Sequence, residues 1–125
     1  MQIRYIDGSR FRRAFTASAR SFMRYRDYLN RINVFPVADS DTGTNMAGTL
    51  SSIARGLEQA SDERLSDTMR IIADCGLDGA RGNSGTILAQ YFYGLANELK
   101  GSIRASTDSF AEAAKRAVDY AYGAI

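Results

Sequence analysis

The sequence predicts an all-α domain folded as an antiparallel helical bundle. Apolar residues recur at alternating steps of three and four in five separate stretches, which is the spacing of residues on one face of a helix. No stretch alternates apolar and polar residues as a half-buried strand does, and no internal repeat is visible. Because the connections between the stretches are short, we expect neighbouring helices to run antiparallel.

The first predicted helix covers about residues 9 to 30, and the second begins near Gly43. The apolar face of the first is formed by Phe11, Phe15, Phe22, Tyr25 and Leu29, with the small Ser18 filling the gap. The apolar face of the second is formed by Met46, Leu50, Ile53 and Leu57. The only proline, Pro36, lies between them, where its ring should stiffen the approach to the second helix.

Three further helices follow the same pattern. The third carries Leu65, Met69 and Ile72 and fades at Gly76 to Gly79, and the fourth begins beside Ser84 and carries Ile87, Leu88, Tyr91, Phe92 and Leu95. The fifth carries Phe110, Ala114, Ala117, Val118 and Ala121. Either Ser106 or Thr107 should be its N-cap, since acidic residues follow in the first turns.

Composition narrows the chemistry open to the chain. At 125 residues it is one domain or part of one, and it has one cysteine, no signal peptide and no apolar stretch of membrane-spanning length, so we expect a cytoplasmic protein. The absence of histidine excludes catalysis by Ser-His-Asp or Cys-His and every histidine-ligated metal site. Carboxylates, hydroxyls and backbone amides remain, and these groups support phosphoryl transfer, which depends mainly on positioning and on charge neutralisation by metal ions.

The most informative segment runs from Asn33 to Met46. It sets two carboxylates, Asp39 and Asp41, two residues apart immediately before a helix start. Such oxygen ligands suit Mg²⁺, and the N–H groups of the helix that follows can receive phosphate oxygens. The alternative is an Asx-rich turn in which Asp41 or Thr42 caps the helix.

A second loop, Gly79 to Gly85, has three glycines in seven residues, a composition that lets the backbone approach an anion closely. It matches neither the P-loop nor the dinucleotide-binding fingerprint, and a helix C-cap followed by a turn explains it as well. In an antiparallel bundle the second and fourth helices begin at the same end. The loop that carries Asp39 and Asp41, here called the carboxylate loop, and the loop from Gly79 to Gly85, here called the glycine loop, should therefore converge there.

These two motifs, with their spacing of about thirty residues, resemble the nucleotide-binding, DhaL-like domain of the dihydroxyacetone kinase L-subunit superfamily. The Asn33-Val34-Phe35-Pro36-Val37 lead-in is similar to the branch that forms the N-terminal domain of fatty acid kinase A. The similarity extends from Ile6-Asp7-Gly8 to the small-residue pattern around Ala121 and Tyr122. The resemblance implies an antiparallel barrel of about eight helices with ATP and two Mg²⁺ ions at one end.

The resemblance also implies roles for individual residues. Asp39 and Asp41 match the metal-binding carboxylates, and Asn33 stands where the L-subunits carry a third aspartate, so its amide oxygen is a candidate ligand. Arg81 is a candidate for stabilising the negative charge of the phosphoryl group during its transfer. The expected nucleotide contacts are Thr42, Gly43, Thr44 and Asn45 at the start of the second helix, and Gly82, Asn83, Ser84 and Gly85 in the glycine loop.

The chain departs from the family pattern in two places. The family usually has glycine between the two aspartates, where this chain has Ser40, and a left-handed backbone at that position would cost serine roughly 1–2 kcal/mol. The sequence also supplies about five of the eight helices and stops before a nucleotide-contacting loop with an E-G-T-type motif. We therefore expect either a fragment of a longer protein, inactive and self-associating on its own, or a degenerate member of the family.

The function that the resemblance implies is transfer of the ATP γ-phosphoryl group to a fatty acid carboxylate held by a separate, DegV-like carrier protein. A dihydroxyacetone kinase subunit is the alternative within the enzymes. An alternative of another class is a basic helical module that binds nucleic acid or anionic lipid, because residues 1–31 hold eight arginines against two aspartates. Six of the eight could line one basic helix face: Arg10, Arg12, Arg13, Arg20, Arg24 and Arg26. A solvated helix surface explains them equally well.

Overall fold

The structure is a computed structural model, and it describes residues 4–34, 38–61 and 63–125. The predicted role of Pro36 in stiffening the approach to the second helix therefore lies outside the described residues. Within the described residues the chain is an all-α bundle with one small sheet, which confirms the predicted fold class. The elements in chain order are β1 (Tyr5–Asp7), α1 (Gly8–Phe22), a 3-10 turn (Met23–Tyr25), α2 (Arg26–Arg31), α3 (Thr42–Glu58), α4 (Leu65–Gly79), α5 (Gly82–Glu98), β2 (Arg104–Ser106) and α6 (Thr107–Tyr122).

The predicted first helix is divided in the structure, and this is the main difference between the predicted and the observed helices. The α-helical hydrogen bonding of α1 ends at Phe22, a 3-10 turn follows, and α2 starts at Arg26. Its apolar periodicity passes through the break, because three residues of 3-10 helix turn the chain only slightly more than α-helix does. The other helices begin within two residues of their predicted starts, and the Ser106 side chain caps α6 by accepting from the Ser109 N–H.

A two-stranded antiparallel sheet was not predicted. β1 pairs with β2 so that Tyr5 faces Ser106 and Asp7 faces Arg104. Three residues per strand are too few to show a sequence alternation, which explains why periodicity misses them. The sheet, with the hydrogen bond from the Leu65 N–H to the Ile103 carbonyl at 2.8 Å, ties the starts of α1, α4 and α6 together at one end of the bundle.

The core lies between α3, α4 and α5, with α1 and α6 packed around it. Its fully buried apolar side chains are Ile53, Leu57, Leu65, Met69 and Ile72. All five belong to the predicted apolar faces. No helix in the described part of the chain is long and apolar enough to cross a membrane.

An apolar groove stays open along α1 between α3 and α5, with a volume of about 360 Å³. The aromatic side chains of Phe11, Phe15, Phe22 and Phe92 line it, together with Met46, Leu50 and Leu88. The groove lies on the apolar face predicted for the first helix. The expected self-association stays a prediction.

Candidate functional site

Two asparagines from the α2 segment cap the start of α3. The Asn33 Oδ1 accepts hydrogen bonds from the backbone N–H groups of Asp41 and Thr42, each at 3.1 Å. The Asn30 side chain accepts from the Thr44 N–H at 3.0 Å and donates to the Thr44 hydroxyl at 2.9 Å. These side chains accept hydrogen bonds from N–H groups at the helix start that have no partner within the helix.

This capping corrects the expectation that the first N–H groups of α3 are available to phosphate. The Thr42 and Thr44 N–H groups are bonded to the asparagines, and the Asn45 N–H donates to the Asp41 carbonyl at 2.8 Å. The alternative in which the Asp41 side chain caps the helix is also wrong. Asp41 occupies the N-cap position, but its carboxylate makes no capping hydrogen bond.

Asn33 has a structural role that the sequence did not predict. Its side chain is buried, and its amide oxygen already accepts two N–H donors. An amide oxygen has two lone pairs, so a metal bond would displace one of these donors. The Asn33 oxygen therefore holds Asp41 in place in this structure, and its role as a metal ligand stays a prediction.

The carboxylates of Asp39 and Asp41 lie close enough to share a proton. The pKa of Asp39 is raised, first by a hydrogen bond with the Asp41 side chain, then by partial desolvation and by repulsion from the Asp41 charge. Two carboxylates that oppose each other's ionisation favour a cation between them, because the cation offsets their repulsion. Within the described residues no three Asp, Glu or Cys side chains group into a metal site, and the role of Asp39 and Asp41 as metal ligands stays a prediction. Mg²⁺ commonly takes one or two protein carboxylates and completes its shell with water and phosphate, and the pair fits that pattern.

Ser40, between the two aspartates, has the left-handed backbone conformation that its family position suggested. Its φ is +60°, and no other non-glycine residue among those described has a positive φ. A Cβ is crowded by the neighbouring carbonyl oxygen in this conformation, at a cost of roughly 1–2 kcal/mol. The strained residue lies between the two aspartates, so the chain accepts local strain at the carboxylate pair.

Ser40→Gly should therefore stabilise the protein by up to about 1 kcal/mol, since the relief of strain exceeds the extra chain entropy of glycine in the unfolded state. Denaturant midpoints measure the change. Ser61→Gly is the matched control, because Ser61 is exposed, outside the helices and free of positive φ, and that variant should be neutral or destabilised. Mg-nucleotide affinity should stay equal or improve in Ser40→Gly. A large loss of affinity would show that the Ser40 hydroxyl has a function of its own.

Gly43, a predicted nucleotide contact, has a packing role, and its contact with nucleotide stays a prediction. It is buried, and a Cβ at this position would lie 2.0 Å from the backbone oxygen of Arg26. The start of α2 thus passes directly over the first turn of α3. Gly43 allows this approach, which brings the capping asparagines within reach of the helix start.

The glycine loop presents a helix start of a different kind. Gly82 has a φ of +64°, and α5 begins there with no side-chain capping hydrogen bond. Gly82 and Asn83 are exposed, and Ser84 is half-buried. An uncapped helix start directs N–H groups and the positive end of the helix dipole outward, which suits an anion.

The structure brings the carboxylate loop and the glycine loop together, as the antiparallel arrangement predicted. The Ser84 hydroxyl donates to the Thr42 carbonyl at 3.1 Å, and the Arg81 N–H donates to the Thr49 hydroxyl at 3.3 Å. A Cβ on Gly82 would lie 2.1 Å from the Asn45 side-chain nitrogen. The starts of α3 and α5 are therefore in direct contact, with Asp39 and Asp41 beside the first and the uncapped N–H groups on the second.

Arg81 is exposed and lies over α3. A Cβ on Gly48 would be 3.1 Å from the Arg81 Cδ and 3.4 Å from its Nε, so the side chain runs across the surface that Gly48 leaves open. This places a cation at the junction of the two loops. Sequence reasoning missed Asn30, Gly48 and Thr49, whose partners lie in other elements and leave no local pattern.

Comparison with known proteins places the chain in a family. The family model described as the DAK2 domain matches residues 36–125. The chain is 37% identical over 125 residues to Protein YloV of Bacillus subtilis strain 168, covering 100% of this chain and 23% of that protein. It is also 37% identical to an uncharacterised protein of Staphylococcus saprophyticus and 34% identical to one of Staphylococcus epidermidis, each over 120 residues, which are 96% of this chain and 22% of those proteins. The chain spans less than a quarter of the length of these relatives.

Proposed function

Because the chain belongs to the DAK2 domain family, which is kinase-related and binds nucleotide, we propose that it binds ATP with Mg²⁺ for phosphoryl transfer to a fatty acid carboxylate. The acceptor is held by a separate, DegV-like carrier protein, and the product is an acyl phosphate. The observation that carries the proposal is the contact between the two helix starts, which sets a pair of uncommitted carboxylates beside an uncapped, glycine-rich helix N-terminus. Metal-bound phosphates need both kinds of group in one place.

The carboxylates of Asp39 and Asp41 would hold Mg²⁺. A metal held there would neutralise phosphate charge during phosphoryl transfer. Asn33 positions Asp41 by accepting a hydrogen bond from its N–H, and the Asp41 carboxylate does not cap the helix. The pair has no other strong partner among the described residues, so it is available to a metal.

The start of α5 is the better phosphate receiver of the two helix starts. Its N-cap residue is Arg81, no side chain caps it, and Gly82, Asn83 and Ser84 supply its first N–H groups. The start of α3 is already capped by Asn30 and Asn33. We therefore assign phosphate binding mainly to Gly82 through Ser84, with the Thr42 and Asn45 side chains in supporting positions and Arg81 as the nearby cation.

Two other functions are weighed against this proposal. Transfer to dihydroxyacetone is compatible with the same ATP site. The described residues form no recognisable acceptor pocket, so they do not distinguish dihydroxyacetone from a fatty acid. The hypothesis of a basic binding module has fewer free arginines than the sequence suggested. The Arg12 guanidinium donates to the Ala60 carbonyl, and Arg26 pairs with Asp27 at 3.5 Å. Arg10, Arg13 and Arg20 remain exposed on α1.

The acceptor is tested with γ-labelled ATP and the complete gene product. With a fatty-acid-loaded carrier protein present, label should move into an acyl phosphate, which hydroxylamine traps as a hydroxamate. Omitting the carrier should abolish the transfer. Transfer of label to dihydroxyacetone instead would identify dihydroxyacetone as the acceptor and contradict the fatty acid assignment. Steeply salt-dependent binding to duplex DNA or to anionic vesicles, without any nucleotide binding, would favour the basic module.

A further inference from the structure

Thr49 is a fully buried threonine on α3 whose hydroxyl bonds to both helix starts. The side chain has 0% exposure. Its Oγ1 donates to the Asn45 carbonyl at 2.8 Å and accepts the Arg81 N–H at 3.3 Å. A hydroxyl can donate one hydrogen bond and accept two, so Thr49 uses both capacities on the two halves of the candidate site.

The first turn of α5 is shaped to fit against this hydroxyl. A Cβ on Gly85 would lie 2.4 Å from the Thr49 Oγ1, and the Gly85 N–H donates to the Arg81 carbonyl at 3.1 Å. Both ends of the turn from Arg81 to Gly85 therefore rest on Thr49. The turn between them carries the N–H groups that we assign to phosphate.

The bonds continue from Thr49 to the carboxylate loop. The Asn45 carbonyl accepts a hydrogen bond from the Thr49 hydroxyl. The Asn45 N–H donates in turn to the Asp41 carbonyl at 2.8 Å. An unbroken series of hydrogen bonds thus connects the Arg81 N–H, the Thr49 hydroxyl, Asn45 and Asp41. Polar groups in such a series order one another, and removing the Thr49 hydroxyl leaves the Arg81 N–H without this acceptor.

We propose that Thr49 is a positioning residue that sets the start of α5 relative to the Asp39 and Asp41 carboxylates, so that its hydroxyl controls affinity for Mg-nucleotide without touching the ligand. This inference rests on the proposed function. It predicts that loss of the hydroxyl weakens nucleotide binding by roughly tenfold, the equivalent of one hydrogen bond of about 1.4 kcal/mol.

The test compares Thr49→Val, which keeps the shape and removes the hydroxyl, with Thr49→Ser, which keeps the hydroxyl. Thr68→Val is the matched control: Thr68 is also fully buried in a helix, but its Oγ1 has no hydrogen-bond partner among the described residues. Affinity for Mg-ATP is measured by titration calorimetry well below the unfolding temperature. Exchange of the Arg81 amide hydrogen with solvent is followed by NMR in the same proteins without ligand.

Thr49→Val should bind Mg-ATP about tenfold more weakly and exchange the Arg81 amide faster, Thr49→Ser should restore both to within about twofold, and Thr68→Val should leave both unchanged. Wild-type affinity in Thr49→Val would overturn this inference while leaving the proposed function in place. Failure of Thr49→Ser to restore affinity would also overturn it, because the hydroxyl would then not be the active group. A wild-type protein that shows no affinity for Mg-ATP would overturn the proposed function and this inference together.

Discussion

Replacing Asp39 and Asp41 together by asparagine should abolish the Mg²⁺ dependence of ATP binding, with affinity for Mg-ATP reduced by about 100-fold or more. The amides have nearly the same shape as the carboxylates but lack the negative charge that holds a hard cation. The fold should remain, because neither carboxylate caps α3 and the Asn33 side chain does so instead.

The matched control for this pair is Asp74→Asn, which removes an exposed carboxylate from α4. Its Mg-ATP affinity should equal that of the wild type. The double variant should unfold at the same temperature as the wild type or slightly higher without metal, since it removes the repulsion that raises the Asp39 pKa. Unchanged Mg-ATP binding in the double variant would contradict the assignment of these residues to the metal.

Gly43→Ala should be among the most destabilising single substitutions in the chain. The new Cβ would meet the backbone oxygen of Arg26 at 2.0 Å, and a backbone atom cannot turn aside as a side chain can. α2 would have to separate from α3, which removes the contact that brings Asn30 and Asn33 to the helix start. We expect a loss of about 2–3 kcal/mol in the free energy of unfolding, measured by chemical denaturation.

Gly48→Ala is the control for this substitution, because it makes the same change in the same helix. Its Cβ would contact only the flexible Arg81 side chain, at 3.1 Å, and alanine favours a helix by up to about 1 kcal/mol over glycine. This variant should be as stable as the wild type or more so. Equal losses in the two variants would mean that helix propensity or general crowding, and not the α2 contact, determines the result.

Much of the fold was predictable because helical periodicity is a local property. The apolar faces that contain Ile53, Leu57, Leu65, Met69 and Ile72 became the core. The meeting of the two loops followed from helix direction alone, and Ser106, the N-cap of α6, was one of the two residues proposed for that position. Each of these inferences uses residues that lie within a few positions of one another.

What the sequence did not reveal depends on contacts between distant segments. Asn30 and Asn33 cap a helix that begins about ten residues later, so the N-cap signal at Asp41 was assigned to the wrong side chain. Nothing in the sequence indicated that Gly43 also lets the carbonyl of Arg26 approach the helix start closely. Thr49 occupies an ordinary position in an amphipathic helix, and only its hydrogen bond to the Arg81 N–H distinguishes it.

The central claim is that the carboxylate pair and the glycine-rich helix start form one site for metal-bound ATP. Titration calorimetry of ATP into the wild-type protein, once with Mg²⁺ and once with EDTA, tests it most directly. Asp39 and Asp41 facing a bare triphosphate would repel it, so we predict binding with Mg²⁺ and little or none with EDTA. Equal affinity under the two conditions, or no binding in either, would contradict the claim.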